Sequence, residues 1–141
     1  MWHDKQIGAA ILAAPFFLAG LYLVHPVPLD LSWPLREPAR FLLPALAYPV
    51  LEEAAFRGLI QGELVKRPFG RRTLLSLSGA NWAASALFVA AHFLYHSPLW
   101  ALAVLGPSLL FGHFRDRYDS IRPGAVLHVL YNTGYFLTFG A

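Results

Sequence analysis

The sequence predicts an all-α fold, a polytopic bundle of about five transmembrane helices that form one domain over residues 1–141. Of the 141 residues, 57% are hydrophobic and 13% are charged, whereas a soluble domain has about 25% charged residues. The mean hydropathy is +0.49. Apolar stretches of about 20 residues, long enough to cross a bilayer as helices, alternate with short polar links. The sequence is therefore that of a membrane protein.

The predicted elements follow from these apolar stretches and from the residues that separate them. A proline-rich loop ends the first stretch, a Pro-Phe-Gly turn at Pro68 ends the second, and a short link ends at Pro98. Pro123 falls in the first turn of the last helix, where a missing N–H costs little. We expect spans at about 7–24, 39–64, 73–95, 98–114 and 122–140.

Lysines and arginines predict the orientation, because cytoplasmic loops are enriched in them. With the N-terminus inside the cell, only Arg36 and Arg40 fall outside, and Asp30 and Glu37 accompany them. An odd number of spans then places the C-terminus outside. The basic residues that fall inside are Lys5, Lys66, Arg67, Arg71, Arg72, Arg115, Arg117 and Arg122.

Composition also excludes several classes of function. The chain has no cysteine, which rules out disulfides, a thiol nucleophile and thiolate metal ligands. The net charge is +3 without a long basic run, so no nucleic-acid partner is expected.

Three polar clusters lie inside the apolar segments. They are Glu52-Glu53-Ala54-Ala55-Phe56-Arg57, Phe88-Val89-Ala90-Ala91-His92 and His128-Val129-Leu130-Tyr131-Asn132. An ionisable side chain in a membrane helix costs roughly 2.5 to 3.5 kcal/mol on insertion scales. Such residues are therefore candidates for function.

Helical spacing assigns a first role to each carboxylate. Glu53 and Arg57 are four residues apart, so they share a helix face and are expected to pair. Glu52 points about 100° away from Glu53. A desolvated carboxylate beside a second one is a stronger base, which suits general-base catalysis.

The three clusters together suit the hydrolysis of a carbonyl compound by water. A carboxylate and an imidazole, Glu52 and His92, can activate a water molecule. His128 and Asn132, again four residues apart, can donate hydrogen bonds to the oxyanion of a tetrahedral intermediate. No cluster contains a serine. Ser85, near the second cluster, is expected to bond to its own helix backbone.

Other interpretations stay open at this stage. Taken singly, the Glu53–Arg57 pair is interpreted as a structural ion pair without a catalytic role. His92 or His128, taken singly, is interpreted as a residue that makes a helix–helix hydrogen bond. Two histidines and two glutamates could bind zinc, but no His-Glu-x-x-His motif is present, so neither a metal nor another cofactor is expected. A proton-coupled transporter would use buried carboxylates, but no inverted repeat supports it.

The motifs Glu-Glu-x-x-x-Arg, Phe-x-x-x-His and His-x-x-x-Asn, in this order on membrane helices, resemble the CAAX-protease and bacteriocin-processing (CPBP) family of intramembrane glutamic proteases. The similarity covers roughly residues 45–135. It implies that Glu52 activates water, that His92 is its partner, that His128 and Asn132 form the oxyanion site, and that Glu53, Arg57 and Phe88 support them. The resemblance implies an enzyme without a required metal.

The resemblance also implies a setting and a class of substrate. The chain is shorter than the CAAX-prenyl endopeptidases and resembles small bacterial enzymes proposed to act on C-terminal sorting signals (the myxosortase or JDVT-CTERM type). We expect a location in the bacterial inner (cytoplasmic) membrane. The expected substrate is a membrane-associated peptide or protein with a sorting signal, a prenylated tail or a leader peptide. The alternative is a non-catalytic family member, an immunity or scaffold factor.

Overall fold

The computed structural model of the chain describes residues 3–140. It is 78% helix and 3% strand, which confirms the predicted all-α class. The helical elements are α1 (Lys5–Val24), α2 (Trp33–Arg36), α3 (Pro38–Leu42), π1 (Leu43–Ala47), α4 (Tyr48–Glu52), π2 (Glu53–Gln61), α5 (Gly62–Leu64), α6 (Pro68–Arg71), α7 (Gly79–His92), α8 (Pro98–Ala103), α9 (Leu105–Tyr118) and α10 (Arg122–Phe139), and the strands are β1 (Thr73–Leu74) and β2 (Leu77–Ser78).

The first predicted span is present as α1. Asp4 caps its start, since the carboxylate accepts a hydrogen bond from the Gln6 amide at 2.8 Å. An 18-residue window of α1 has a mean hydropathy of 2.2. Among the helices of residues 3–140, α1 is the one that could cross a membrane by its length and composition. The structure therefore confirms the helical class but not the predicted five-span bundle.

The second predicted span is a continuous helical run over residues 38–64 that changes between α and π geometry. Two prolines, Pro44 and Pro49, lie inside this run. A proline lacks the N–H that an α-helix needs, and its ring crowds the carbonyl four residues earlier. The π1 segment accommodates Pro44. In it, the Tyr48 N–H bonds to the Leu43 carbonyl instead of to the Pro44 carbonyl.

The third predicted span begins six residues later than expected. Residues 73–78 form a two-stranded antiparallel hairpin, with Thr73 opposite Ser78. Its turn residues Leu75 and Ser76 have φ angles of 52° and 65°, as a tight two-residue hairpin turn requires. Helix α7 then begins at Gly79, and the Ser78 hydroxyl accepts a hydrogen bond from the Asn81 amide at 3.0 Å.

The fourth predicted span is divided at Val104 into α8 and α9. Helix α9 runs on through residues 115–118, which the sequence placed in a polar link. Arg115 and Arg117 lie in its last turn, where cations interact favourably with the helix dipole. Asp119 ends the helix with φ 45° and ψ 41°, a left-handed conformation that is common after helices.

Contacts divide the described chain into two compact units. The first contains residues up to Leu51 and from Val126 onward. In it, α1 and α10 run parallel: Tyr131 Oη donates to the Ala10 carbonyl at 3.0 Å, and the rings of Tyr22 and Phe139 lie 6.5 Å apart further along both helices.

The second unit is Glu52–Ala125, and its core is formed by π2, α7 and α9. Asn81 Nδ2 donates to the Leu109 carbonyl, and Ser78 Oγ donates to Asp116, so α7 runs antiparallel to α9. Contacts of Arg57 with Ser108 and of Gln61 with Asp116 show that π2 runs parallel to α9. The three elements therefore alternate in direction.

Candidate active site

The predicted pair of Glu53 and Arg57 is present and fully buried. Glu53 Oε2 lies 3.8 Å from Arg57 Nε, and each side chain is 1% exposed. Gln61, four residues further along, is 0% exposed. In an α-helix, the third member of such a series would be rotated by about 80° from the first. The π2 segment nevertheless buries all three side chains of the series, Glu53, Arg57 and Gln61.

Arg57 joins the three elements of the second unit. Its Nη1 donates to Gln61 Oε1 at 3.3 Å and to Ser85 Oγ at 3.2 Å. Its Nη2 donates to the Ser108 carbonyl at 2.8 Å and to Ser108 Oγ at 2.5 Å. A buried guanidinium with this many acceptors satisfies most of its five donors, so Arg57 holds π2 against α7 and α9.

The hydrogen-bond network continues from Gln61 to the polar end of α9. Gln61 Nε2 donates to the Gly112 carbonyl at 2.9 Å and to Asp116 Oδ1 at 2.8 Å. Asp116 Oδ2 accepts from Ser78 Oγ at 2.5 Å. The sequence analysis missed Gln61, Ser108 and Asp116. Of these three residues, only Gln61 could have been selected from the sequence, because it continues the four-residue spacing of Glu53 and Arg57.

The expectation that Ser85 bonds to its own helix backbone is wrong. Its hydroxyl donates to the side-chain oxygen of Asn81 at 3.1 Å and accepts from Arg57. Asn81 in turn donates to the Leu109 carbonyl at 2.9 Å. Ser85 therefore bonds to side chains on both sides, to Asn81 within α7 and to Arg57 of π2, and not to the helix backbone.

Gly124, in the first turn of α10, lies directly against the carboxylate of Glu53. A Cβ atom at Gly124 would lie 2.7 Å from Glu53 Oε2 and 3.3 Å from the Phe111 carbonyl oxygen. No side chain fits at such distances without displacing a neighbour. The glycine thus allows the backbone of α10 to approach Glu53 closely.

Glu52 and Glu53 have different surroundings. Glu52 is the last residue of α4 and is partly exposed. Glu53 begins π2, is completely buried and faces Arg57. In the first motif, the ion pair with Arg57 is therefore formed by the second glutamate, Glu53.

His92 is the last residue of α7, and one ring nitrogen is held by the helix. Its Nδ1 lies 2.9 Å from the Phe88 carbonyl oxygen. A carbonyl oxygen only accepts hydrogen bonds, so Nδ1 must carry the proton. In the neutral ring, the lone pair is then on Nε2, the nitrogen that can accept a proton.

Phe88 links the helical run of Glu52 with the helix of His92. Its ring packs edge-on against Phe56 at 5.0 Å and lies 4.4 Å from the ring of His92. The Arg57 guanidinium carbon lies 5.9 Å from the centre of the Phe88 ring, in the range of a cation–π contact. Phe88 thus contacts Phe56 and Arg57 of the first motif and also His92 of its own motif.

His96 is a second imidazole next to His92 that sequence reasoning did not select. The two rings are stacked, with their centres 5.5 Å apart and their planes at 18°. The four-residue spacing from His92 was the available signal. Residues 93–99 are exposed, so α7 leads from His92 directly into a surface segment.

In the first unit, α10 carries His128 and Asn132. His128 is 5% exposed, and Asn132 Nδ2 donates to the Pro44 carbonyl at 3.0 Å. A side-chain amide has two N–H hydrogens. One hydrogen can therefore hold this bond while the other donates to a ligand.

Two prolines make the Pro44 carbonyl available to Asn132. In an α-helix this oxygen would accept from residue 48, but Tyr48 N–H bonds to Leu43 instead. In a π-helix it would accept from residue 49, but Pro49 has no N–H. Neither usual main-chain donor reaches this oxygen, so Asn132 supplies the hydrogen bond.

The predicted site residues are distributed over both units. Glu52, Glu53, Arg57, Phe88 and His92 lie in the second unit, and His128 and Asn132 lie in the first. Within residues 3–140, no group of three or more histidine, aspartate or glutamate side chains is arranged to hold a metal ion.

Comparison with known proteins identifies the family. The family described as Type II CAAX prenyl endopeptidase Rce1-like matches residues 34–134, a range that includes all three motifs. No curated protein and no solved structure matches the chain. The match confirms the suspected relationship to CAAX proteases, which are membrane-integral hydrolases. Since it covers more than half of the sequence, the chain belongs to the Rce1-like family of type II CAAX prenyl endopeptidases.

Proposed function

We propose that the protein is an intramembrane endopeptidase in which Glu52 and His92 activate water and His128 and Asn132 stabilise the oxyanion. The observation that carries this proposal is the division of roles within the first motif. Arg57 faces the buried Glu53, whereas Glu52 is partly exposed. A hydrolase needs one carboxylate that can reach water, and Glu52 meets that need.

The reaction follows from the chemistry of these groups. Water donates a hydrogen bond to His92 Nε2 and gives a proton to Glu52, while its oxygen forms a bond to the carbonyl carbon of the scissile peptide. The carbonyl oxygen becomes an oxyanion, which accepts hydrogen bonds from His128 and Asn132. The C–N bond then breaks, and Glu52 returns its proton to the leaving amine.

The family membership supports a membrane-associated peptide or protein as the substrate. We propose that its cleavage site follows or precedes a lipid-associated segment, as in a sorting signal, a prenylated tail or a leader peptide. The proposed location is the bacterial inner membrane, with the N-terminus and residues 66–72 in the cytoplasm. The excess of basic residues on that side supports this orientation.

The test compares the membrane proteins of cells that lack the chain after re-expression of three forms. These are the wild type, Glu52→Gln and the control Glu37→Gln, which changes an exposed carboxylate paired with Arg40. Mass spectrometry of protein termini should show new ends with the wild type and the control but not with Glu52→Gln. Identical termini in all three strains would contradict the proposal and favour a non-catalytic family member.

A further inference from the structure

The basic residues of the protein differ in how they are neutralised. On the predicted outer side, Arg36 pairs with Asp30 and Arg40 pairs with Glu37. The hydrogen bond from Arg36 is the main reason why the pKa of Asp30 falls from 3.8 to about 2. The two outer cations are thus matched by carboxylates of the chain itself.

Three of the four basic residues at positions 66–72 lack such an ion pair. Lys66 pairs with Glu63 at 2.5 Å, and Arg71 Nε donates to the Val65 carbonyl at 3.1 Å. Within residues 3–140, neither Arg67, Arg71 nor Arg72 has a carboxylate within ion-pair distance, and all three are exposed. This region therefore carries uncompensated positive charge.

Exposed apolar side chains lie next to these cations. Phe69, Leu74 and Leu75 are 48%, 62% and 79% exposed. Leu75 occupies the tip of the hairpin with φ 52°, a conformation that is unfavourable for a side chain of its size. We call the set of Lys66, Arg67, Arg71 and Arg72 with these three apolar residues the basic hairpin.

The basic hairpin is a fixed part of the fold. The Gly79 amide donates to the Arg72 carbonyl at 2.7 Å, and the indole of Trp82 donates to the Leu74 carbonyl at 3.0 Å. Gly70 packs directly on the Leu64 carbonyl. The backbone that carries the cations and the apolar tip is consequently held in one arrangement.

The hairpin also fits a particular depth in the membrane. A two-stranded ladder leaves main-chain groups on its outer edges, and these cannot be left unsatisfied in hydrocarbon. Trp82, whose indole N–H is bonded at the hairpin, is of the residue type that concentrates at membrane–water interfaces. Both features suit a position at the headgroup level.

We propose that the basic hairpin is a binding surface for anionic phospholipid. The arginines pair with headgroup phosphates, which their planar guanidinium groups can engage through two hydrogen bonds. Phe69, Leu74 and Leu75 insert between the headgroups and the upper acyl chains. This surface is independent of the proposed peptidase chemistry.

The test uses the full chain reconstituted in bilayers of phosphatidylcholine with a minor fraction of phosphatidylglycerol. After mild detergent extraction, the lipids retained by the protein are measured by mass spectrometry. We expect enrichment of phosphatidylglycerol with the wild type. The double variant Arg67→Gln/Arg72→Gln should reduce the enrichment by about tenfold, and high salt should act in the same direction.

Two further variants separate lipid binding from folding. The matched control Arg36→Gln/Arg40→Gln removes the same charge from paired positions and should retain wild-type enrichment. Leu75→Gly relieves the strained φ, so it should raise the melting temperature and still lower the enrichment. Equal enrichment in the wild type and in Arg67→Gln/Arg72→Gln would overturn the proposal. Displacement of the lipid by excess inorganic phosphate would also overturn it, because it would indicate a site for free phosphate.

Discussion

At the scale of single residues, adjacent glutamates of the first motif are separated by the helix geometry. Glu53 is enclosed by Arg57 and by the backbone at Gly124, whereas Glu52 keeps partial exposure. His92 is oriented by its bond to the Phe88 carbonyl, which leaves Nε2 as the basic nitrogen. These two side chains are the proposed catalytic base and its partner.

The first prediction concerns these catalytic residues. Glu52→Gln and His92→Ala should each lower the turnover number by a factor of about 10² to 10⁴, the usual effect of losing a general base. His128→Ala and Asn132→Ala should lower it by about 10² to 10³ through loss of oxyanion donors. Cleavage assays on the purified variants measure both effects.

The same assay with a metal chelator completes this prediction. Exhaustive chelation should leave the wild-type rate unchanged. Loss of turnover on chelation, with recovery when zinc is added, would contradict the glutamate-and-water mechanism, and Glu52, His92 and His128 would then be reconsidered as ligands.

The second prediction concerns Arg57. Arg57→Ala leaves Glu53 as a buried carboxylate without its guanidinium, a change that costs about 3 to 5 kcal/mol in comparable buried pairs. We expect a lower melting temperature as well as lost activity. The control Arg40→Ala breaks an exposed pair with Glu37 and should cost at most about 1 kcal/mol. An Arg57→Ala protein with wild-type stability and activity would refute the structural role of the pair.

At the scale of secondary-structure elements, departures from α geometry shape the site. The π2 segment carries the buried side chains of Glu53, Arg57 and Gln61. The π1 segment and Pro49 release the Pro44 carbonyl, which Asn132 then binds. Irregular helix geometry is often found at functional sites, and here each irregularity has an identifiable partner.

The third prediction tests the role of Pro49. Pro49→Ala restores an N–H that competes with Asn132 for the Pro44 carbonyl. The turnover number should fall towards that of Asn132→Ala, with KM unchanged, because the oxyanion donor loses its anchor. The double variant Pro49→Ala/Asn132→Ala should be no worse than Asn132→Ala alone.

The matched control for this prediction is Pro15→Ala in α1. This proline lies inside a helix in the same way, but its side chain is exposed, so its removal should leave turnover unchanged. Additive losses in the double variant at position 49 would show that Pro49 and Asn132 act separately.

The fourth prediction concerns the turn of the hairpin. Leu75 and Ser76 both have positive φ, which favours Asn-Gly in a turn of this kind. Leu75→Asn/Ser76→Gly should therefore raise the free energy of unfolding by about 1 to 2 kcal/mol. Leu77→Gly, in the strand next to the turn, should instead lower it by roughly 0.5 to 1 kcal/mol. Thermal melts in detergent measure both changes, and a lower melting temperature for the turn variant would contradict the strain assigned to it.

At the scale of the whole molecule, each of the two units contains helices with defined relative directions. In the first unit α1 runs parallel to α10. In the second unit π2, α7 and α9 alternate in direction.

The fifth prediction uses the absence of cysteine from the chain. Single cysteines can be introduced at exposed positions on each predicted side, at Arg36 for the outside and at Ser76 for the inside. A membrane-impermeant maleimide should label Arg36→Cys in intact cells and Ser76→Cys only after lysis. The reverse pattern would overturn the proposed orientation.

Much of this architecture could be predicted because it depends on neighbours along the chain. Apolar composition gave the helical class, and four-residue spacing gave the Glu53–Arg57 pair. The hairpin at residues 73–78 was missed because its turn lacks the Asn-Gly pattern, and the two strands contain only two residues each. The end of α9 was missed because charged residues were interpreted as a link.

The sequence by itself determined the helical class, the family and the three motifs, since each is written in composition or in spacing within one helical turn. The tertiary structure alone decided which distant residues complete the site. Arg57 meets Ser85 and Ser108, 28 and 51 positions away, and Asn132 meets Pro44, 88 positions away. These contacts depend on how helices pack and on where a proline or a π segment leaves a main-chain oxygen without its usual donor. The periodicity of polar and apolar residues does not predict these contacts. It indicates which face of a helix is buried, but not which other element packs against that face.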